Sequence, residues 1–335
     1  MGAPLPWVDF DLLAATGRRL SPPGPPATRA QRAECVAELR EAAELAPALV
    51  ARETGLPLVE GGTTLVVDRR TWVDGLADTG RRLWQELGAP TRPTLAQRVQ
   101  GRALGAQVGA VAALMGRRIL GQYDPFHERL LLVAPTVMHV ERELGLVPRD
   151  FRHWVALHEQ THRVQFAAAP WLPAHLLHLV RAALQAEDSS GDGLRDVVAR
   201  VVREGIPEES DGSLVDVVSA PAARGALDEV TGIMSLLEGH ADVVMDLAGP
   251  EVVGTLDVIR RRFDARRGSV GPWARLIGMD AKLAQYRDGA AFCRAVIDDH
   301  GHEGLNRVFD GPDLMPRRSE LADAAAWAAR VLGGG

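Results

Sequence analysis

Two histidines four residues apart enclose a glutamate in the run Leu157-His-Glu-Gln-Thr-His-Arg-Val-Gln-Phe166. On an α-helix, residues i and i+4 lie one above the other, so His158 and His162 converge on one point and Glu159 stands beside the first. An H-E-x-x-H pattern of this kind is a divalent-metal site with its own general base, and it commits the chain to a helix packed against whatever carries the remaining ligand. Five residues recur by chance, so the flanks matter. Phe151, Trp154, Val155, His158, His162 and Phe166 follow helical spacing, from an N-cap expected at Asp150 to a stop before Pro170. The histidines thus fall on the buried stripe. As ordinary core residues each would need its own polar partner, and the two would repel if both were charged; a shared cation satisfies both.

A catalytic Zn²⁺ takes three protein ligands and keeps one position open. The segment Thr231-Gly-Ile-Met-Ser-Leu-Leu-Glu-Gly-His-Ala-Asp-Val-Val-Met-Asp246 is strongly helical and sets Glu238 among Leu236, Leu237, Val243, Val244 and Met245. An unpaired carboxylate there is costly, which makes Glu238 the first candidate for the third ligand. Asp242, one turn on, is placed to accept a hydrogen bond from the outer nitrogen of a ligand histidine and fix its tautomer. His240 points well away from that pair and is the weaker ligand candidate; His127, His139 and His153 are the outside alternatives.

His-Glu-x-x-His followed by Glu-x-x-x-Asp on a second helix resembles the gluzincin branch of the zincin metallopeptidases, matching at His158, Glu159, His162, Glu238 and Asp242. More narrowly, Leu-His-Glu-Gln-Thr-His-Arg-Val-Gln-Phe, Ser-Leu-Leu-Glu-Gly-His-Ala-Asp-Val-Val-Met-Asp and Ala-Lys-Leu-Ala-Gln-Tyr-Arg-Asp-Gly resemble a family of actinobacterial zincin-like hydrolases. Some members of that family are labelled "deazaflavin coenzyme biosynthesis-associated". The likeness runs from Trp7-Val-Asp-Phe-Asp-Leu onward and implies a fold and a metal, but no substrate. The interval from His162 to Glu238, 238 − 162 = 76 positions, exceeds that of thermolysin-like enzymes and requires a helical insertion.

Composition bounds the remaining classes. The 335 residues are 46% apolar and 24% charged, as expected of a globular chain forming one large domain or two intimate ones. A net charge of −6 without a basic, aromatic-interleaved cluster argues against nucleic-acid binding. Cys35 and Cys293 are the only cysteines, which rules out a thiolate zinc site or a disulfide framework. The first residues lack the basic and apolar regions of a secretory signal, and no apolar run is long enough to cross a membrane, so a cytoplasmic location is expected.

Of 38 basic residues only Lys282 is lysine, which points to a place where a compact ammonium is needed. Tyr286 stands at i+4 from it. Together they are expected to present a cation and a phenol to an oxyanion at the metal site, with His240, Tyr123 and Arg287 as further candidates; a surface lysine and a core tyrosine is the plain alternative.

The chain predicts a mainly α fold with a small β-sheet, a zincin-like metalloprotease core with extra helices. Residues 1–120 form a helical region packed on a metal-binding domain of residues 121–335. Thr28 caps a helix to about Leu45, another spans Asp68 to Leu87, and the small-residue stripe Gly101, Gly105, Gly109, Ala113 predicts close helix packing. Gly121 to Phe126 reads as a turn and Arg129 to Ala134 as the edge strand along which an extended substrate binds. The acidic stretch Ala186 to Gly193 reads as a solvated loop, followed by a helix from Gly193 to Arg203. The reaction expected is hydrolysis of a peptide or small amide with Glu159 as base. A metal-dependent amidohydrolase acting on a small molecule and a non-catalytic zinc-binding scaffold are the alternatives.

Overall fold

The computed structural model describes residues 5–59, 61–190, 221–267 and 279–333, of which 187–190, 221–222, 264, 266–267 and 279–287 are described by backbone alone. It is mainly helical with one three-stranded sheet. In chain order the described elements are α1 (Phe10–Leu20), α2 (Arg29–Thr54), β1 (Thr63–Val67), α3 (Arg69–Glu86), α4 (Leu95–Met115), β2 (Gly121–Asp124), β3 (Arg129–Val133), α5 (Ala134–Glu143), α6 (Pro148–Ala168), α7 (Leu172–Ser190), α8 (Pro221–Val252), α9 (Leu256–Arg267), α10 (Met279–Asn306) and α11 (Ala324–Val331). Short 3₁₀ turns join the last two.

Local chemistry sets several helix starts. Thr28 and Thr94 each close a capping box with the glutamine three residues on, and Asp68 accepts from the Thr71 backbone N–H. Helix α2 nevertheless runs nine residues beyond the Leu45 expected for its end, passing through Pro47. Burial of Ala43, Ala46, Leu49 and Val50 in the main core, where α2 packs on α6, outweighs the single hydrogen bond that proline removes. The helix carrying the histidines begins at Pro148, whose missing N–H is harmless in a first turn. Asp150 is therefore not its cap; its carboxylate accepts from Thr255 N and Oγ1 at 2.7 and 2.6 Å, tying α6 to the start of α9.

The sheet corrects two expectations. Its order is β1-β3-β2, so Arg129–Val133 is the central strand, parallel to β1 and antiparallel to β2. The edges are β1 and Gly121–Asp124, the latter a stretch that the Asp-Pro sequence suggested was already turn. The turn begins only at Pro125, where buried Asp124 organises it by accepting from Phe126 N, Thr79 Oγ1 and Arg129 Nε. Strand β1, with Thr63 and Leu65 exposed and the rest only half-buried, has too little apolar alternation to stand out. Arg163 of α6 pins it by donating to Thr63 O at 2.8 Å.

Two apolar cores flank this sheet. The larger joins α2, α5, α6, α8 and α10, and the smaller packs α1, α3 and α4 against Leu131 and Val133 of β3. As the small-residue stripe predicted, α1 lies directly on α4: a Cβ at Gly101, Gly105 or Gly109 would come within 2.4 Å of an α1-side carbonyl oxygen, that of Trp7, Asp9 or Leu13. Residue 120 falls between α4 and β2, with β1 on one side of that line pairing with β3 on the other. Where a loop was expected from Ala186, α7 continues to Ser190; the expected helix from Gly193 to Arg203 lies outside the described residues.

Candidate metal centre

Helices α6 and α8 pack against each other and bring the two separated motifs together. A Cβ at Gly239 would sit 2.2 Å from the Gly289 carbonyl carbon, so α8 and α10 cross in backbone contact beside Glu238. His158 Nε2 lies 3.1 Å from His162 Nε2 and 3.3 Å from Glu238 Oε2, and His162 Nε2 lies 3.8 Å from the same oxygen. A tetrahedral ion about 2.0–2.1 Å from its ligands holds such donors roughly 3.3 Å apart. Two imidazoles and one carboxylate with these separations fit a metal ion. Among the described residues no other group of three His, Cys, Asp or Glu side chains converges in this way.

The hydrogen bonds behind the rings define which nitrogen is free. Gln165 Nε2 donates to the Leu237 carbonyl at 2.8 Å, which fixes the orientation of its amide. Its Oε1 then accepts from His162 Nδ1–H at 2.9 Å, leaving the lone pair of Nε2 directed at the donor cluster. The same Gln165 Nε2 donates to His240 Nδ1 at 2.9 Å. One amide thus links α6 and α8 just behind the site. The sequence reading missed it, although a glutamine on the apolar stripe three residues past the second histidine was the available signal.

Asp242 does not take the role expected of it. Its Oδ1 accepts from Arg260 Nη1, no hydrogen bond joins it to either ring, and His158 Nδ1 is buried without a partner. The reason is tertiary: Arg260 of α9 inserts between Asp242 and Asp246, pairing with the latter at 2.8 Å. His240 supports the centre only through Gln165. His127, His139 and His153 are engaged elsewhere, with Asp124, Glu143 and the Arg149 carbonyl. The side chains of Lys282, Tyr286 and Arg287 lie outside the described residues.

Electrostatics distinguish the four groups. Burial opposes charge on His158, but its hydrogen bond to Glu238 and the charges of Glu238, Glu159 and Asp242 lift it to about 9. His162 is pushed down by burial against the pull of Glu238. Burial, with His302 and His162 nearby, pushes His240 down to about 3, so its ring is neutral. Glu159 is raised to about 7, first by burial and then by Glu238, with His158 opposing.

Glu159 is held against the sheet edge. A Cβ at residue 121 would lie 2.6 Å from Glu159 Cγ and 2.9 Å from its Oε1, so only glycine lets β2 pass this close to the carboxylate. A cleft of about 530 Å³ opens here, lined by the backbone stretch 118–123, the donor cluster, Glu159, Phe166 and Met234. Tyr123 of β2 also lines it, its ring 5.8 Å from Phe166, whereas His240 does not reach it. The arrangement sets a metal-binding cluster, a buried carboxylate and an unpaired strand edge around one space.

Comparison with known proteins covers most of the chain. A family described as zincin-like metallopeptidase matches residues 8–328. None of the curated proteins matches. Among solved structures, the chain is similar to a presumed hydrolase with a novel fold from Chloroflexus aurantiacus. That likeness has a TM-score of 0.68 and 25% identity and covers 98% of this chain and 100% of the other. No described helix is long and apolar enough to cross a membrane. With the family match spanning both motifs, the chain belongs to the zincin-like metallopeptidase family.

Proposed function

We propose that this chain is a zinc-dependent hydrolase, a metallopeptidase that cleaves an amide bond with Glu159 as general base. The carrying observation is the convergence of His158, His162 and Glu238 within 4.8 Å of one another, with buried Glu159 at the same cleft. Zinc, held by those three side chains, would supply a Lewis acid to polarise the scissile carbonyl and acidify water.

The protein's own groups do the rest. Gln165 holds the His162 tautomer that presents Nε2 as a donor. Glu159 takes the proton of the attacking water and returns it to the departing amine, so water adds across the C–N bond and leaves an acid and an amine. Its position against Gly121 keeps the carboxylate beside the backbone of β2, whose free edge offers amide and carbonyl groups to an extended substrate. Tyr123, whose phenol lines the cleft, is assigned the donation to a developing oxyanion.

The test is E159Q, measured for zinc content and for hydrolysis of a peptide library. Retained zinc with a 10²- to 10⁴-fold loss of turnover is expected for removal of a general base. Full activity in a zinc-loaded E159Q protein would overturn the mechanism.

A further inference from the structure

We infer that a second pocket, walled by α1, α3, α4, α7 and α8, binds a long hydrocarbon chain, so that the substrate of the metal cleft is an amide carrying such a chain. This rests on the hydrolase reading for the cleft, while the chain-binding property of the pocket stands apart from it.

The pocket holds about 750 Å³, more than the cleft itself. None of its described lining residues carries a charge. Its polar side chains are three glutamines of α4, and Gln97 is already spent on the capping box, its Oε1 accepting from Thr94 N at 2.8 Å. Trp84 Nε1 is likewise satisfied, by the Pro6 carbonyl at 2.7 Å. What remains is an apolar surface formed largely by helices, whose backbone groups are bonded internally. A peptide placed here would leave most of its amides unpaired; a hydrocarbon has none to satisfy. The volume also exceeds the small voids that packed interiors retain, which sets the pocket apart from a packing flaw.

The link to the metal site is Met234. It is the one residue that lines both spaces, and it is 39% exposed although Ile233, Ser235, Leu236 and Leu237 around it are at most 2% exposed. It stands one turn before Glu238 on α8. A chain lying in the pocket and passing Met234 therefore delivers its head group to the donor cluster and Glu159. No described lining residue offers that head group a charge, and Gln100 and Gln107 supply only neutral amides.

The binding arm of the test uses metal-free protein and straight-chain alcohols from hexanol to dodecanol, which lack a carboxylate to ligate an ion. Trp7 and Trp84 in the wall provide a fluorescence readout. Kd should tighten roughly fourfold per added methylene, following about 0.8 kcal/mol for each CH₂ buried, until the pocket is filled. Leu104→Trp, which narrows the pocket away from the catalytic groups, should end that tightening at a shorter chain. Leu177→Gln provides a second variant, expected to weaken every member of the series. Either no binding or no dependence on chain length by the wild-type protein overturns the inference, whatever the variants do.

The activity arm compares kcat/KM of the zinc-loaded enzyme on acetyl and dodecanoyl p-nitroanilides. The long chain should be favoured at least tenfold, and Leu104→Trp should erase the preference without slowing the acetyl substrate. Equal kcat/KM for the two overturns the inference. Steep alcohol binding with no cleavage of any anilide or peptide would instead overturn the hydrolase reading and support the pocket as a chain-binding site.

Discussion

Helices α4 and α6 are both 21 residues long, yet they bury different things. Helix α6 buries thirteen residues, including Glu159, Gln160, Thr161, Arg163 and Gln165. Several of these buried groups are answered by backbone carbonyls: Gln160 Nε2 donates to Ala43 O, Arg163 to Thr63 O and Gln165 Nε2 to Leu237 O. Helix α4 buries five residues, all glycine or alanine, and leaves Leu95 81% and Val99 65% exposed. One helix is positioned by hydrogen bonds that specify single atoms, the other by the absence of side chains that would keep a neighbour away. Specific donors suit a site where a ring must face a metal ion. A smooth, small-residue surface suits a wall that packs α1 on one side and borders an apolar pocket on the other.

That contrast can be broken first at α6. Replacing His162 with alanine removes one of three donors, and zinc affinity by competition with a chelator should fall by more than 100-fold while circular dichroism stays helical; near-native affinity would mean that His162 is no ligand. At α4 the corresponding break is steric. Gly105→Val drives a side chain into the Asp9 carbonyl and should cost about 3 kcal/mol of unfolding free energy in urea without altering zinc affinity. A loss of zinc in that variant would show that the two walls are not independent.

A finer test concerns the amide behind His162. Gln165→Leu keeps the volume and removes the acceptor that fixes the tautomer, so zinc affinity should drop 10- to 100-fold. Gln165→Glu, which retains an acceptor for Nδ1–H, should recover part of it, an outcome that a purely packing role for residue 165 does not produce.

The smallest effect lies outside both helices and calibrates them. Glu320 is gripped by Arg330 through contacts of 2.7 and 2.8 Å, which hold its carboxyl below the ordinary value despite burial. Its contribution is therefore present above the unfolded-state value near 4.3 and disappears as pH falls through the lower folded value. Glu320→Gln should cost about 1 kcal/mol at pH 7 and little at pH 3. A constant difference across that range would mean that charge is not what the pair contributes.

The site was legible where its chemistry is local. His158 and His162 share a face because helix periodicity puts them there, and Glu238 stood out as a carboxylate in an apolar helix. Capping chemistry likewise marked Thr28 correctly. The sheet was harder to read: β3 looked like an edge because strand order depends on β1, whose residues pair with β3 from 66 positions earlier. Asp242 looked like a histidine's partner because nothing near it in sequence announces Arg260.

What the sequence alone determined, then, is which faces of which helices carry the donors, since a residue's face follows from its neighbours within a turn or two. Tertiary structure alone decided that the Leu237 carbonyl orients Gln165, that Arg260 captures Asp242, and that Gly121 brings the free edge to Glu159. Each of those choices joins atoms far apart along the chain, and the energy of a hydrogen bond or a close contact depends on where the folded backbone delivers them, which no local pattern encodes.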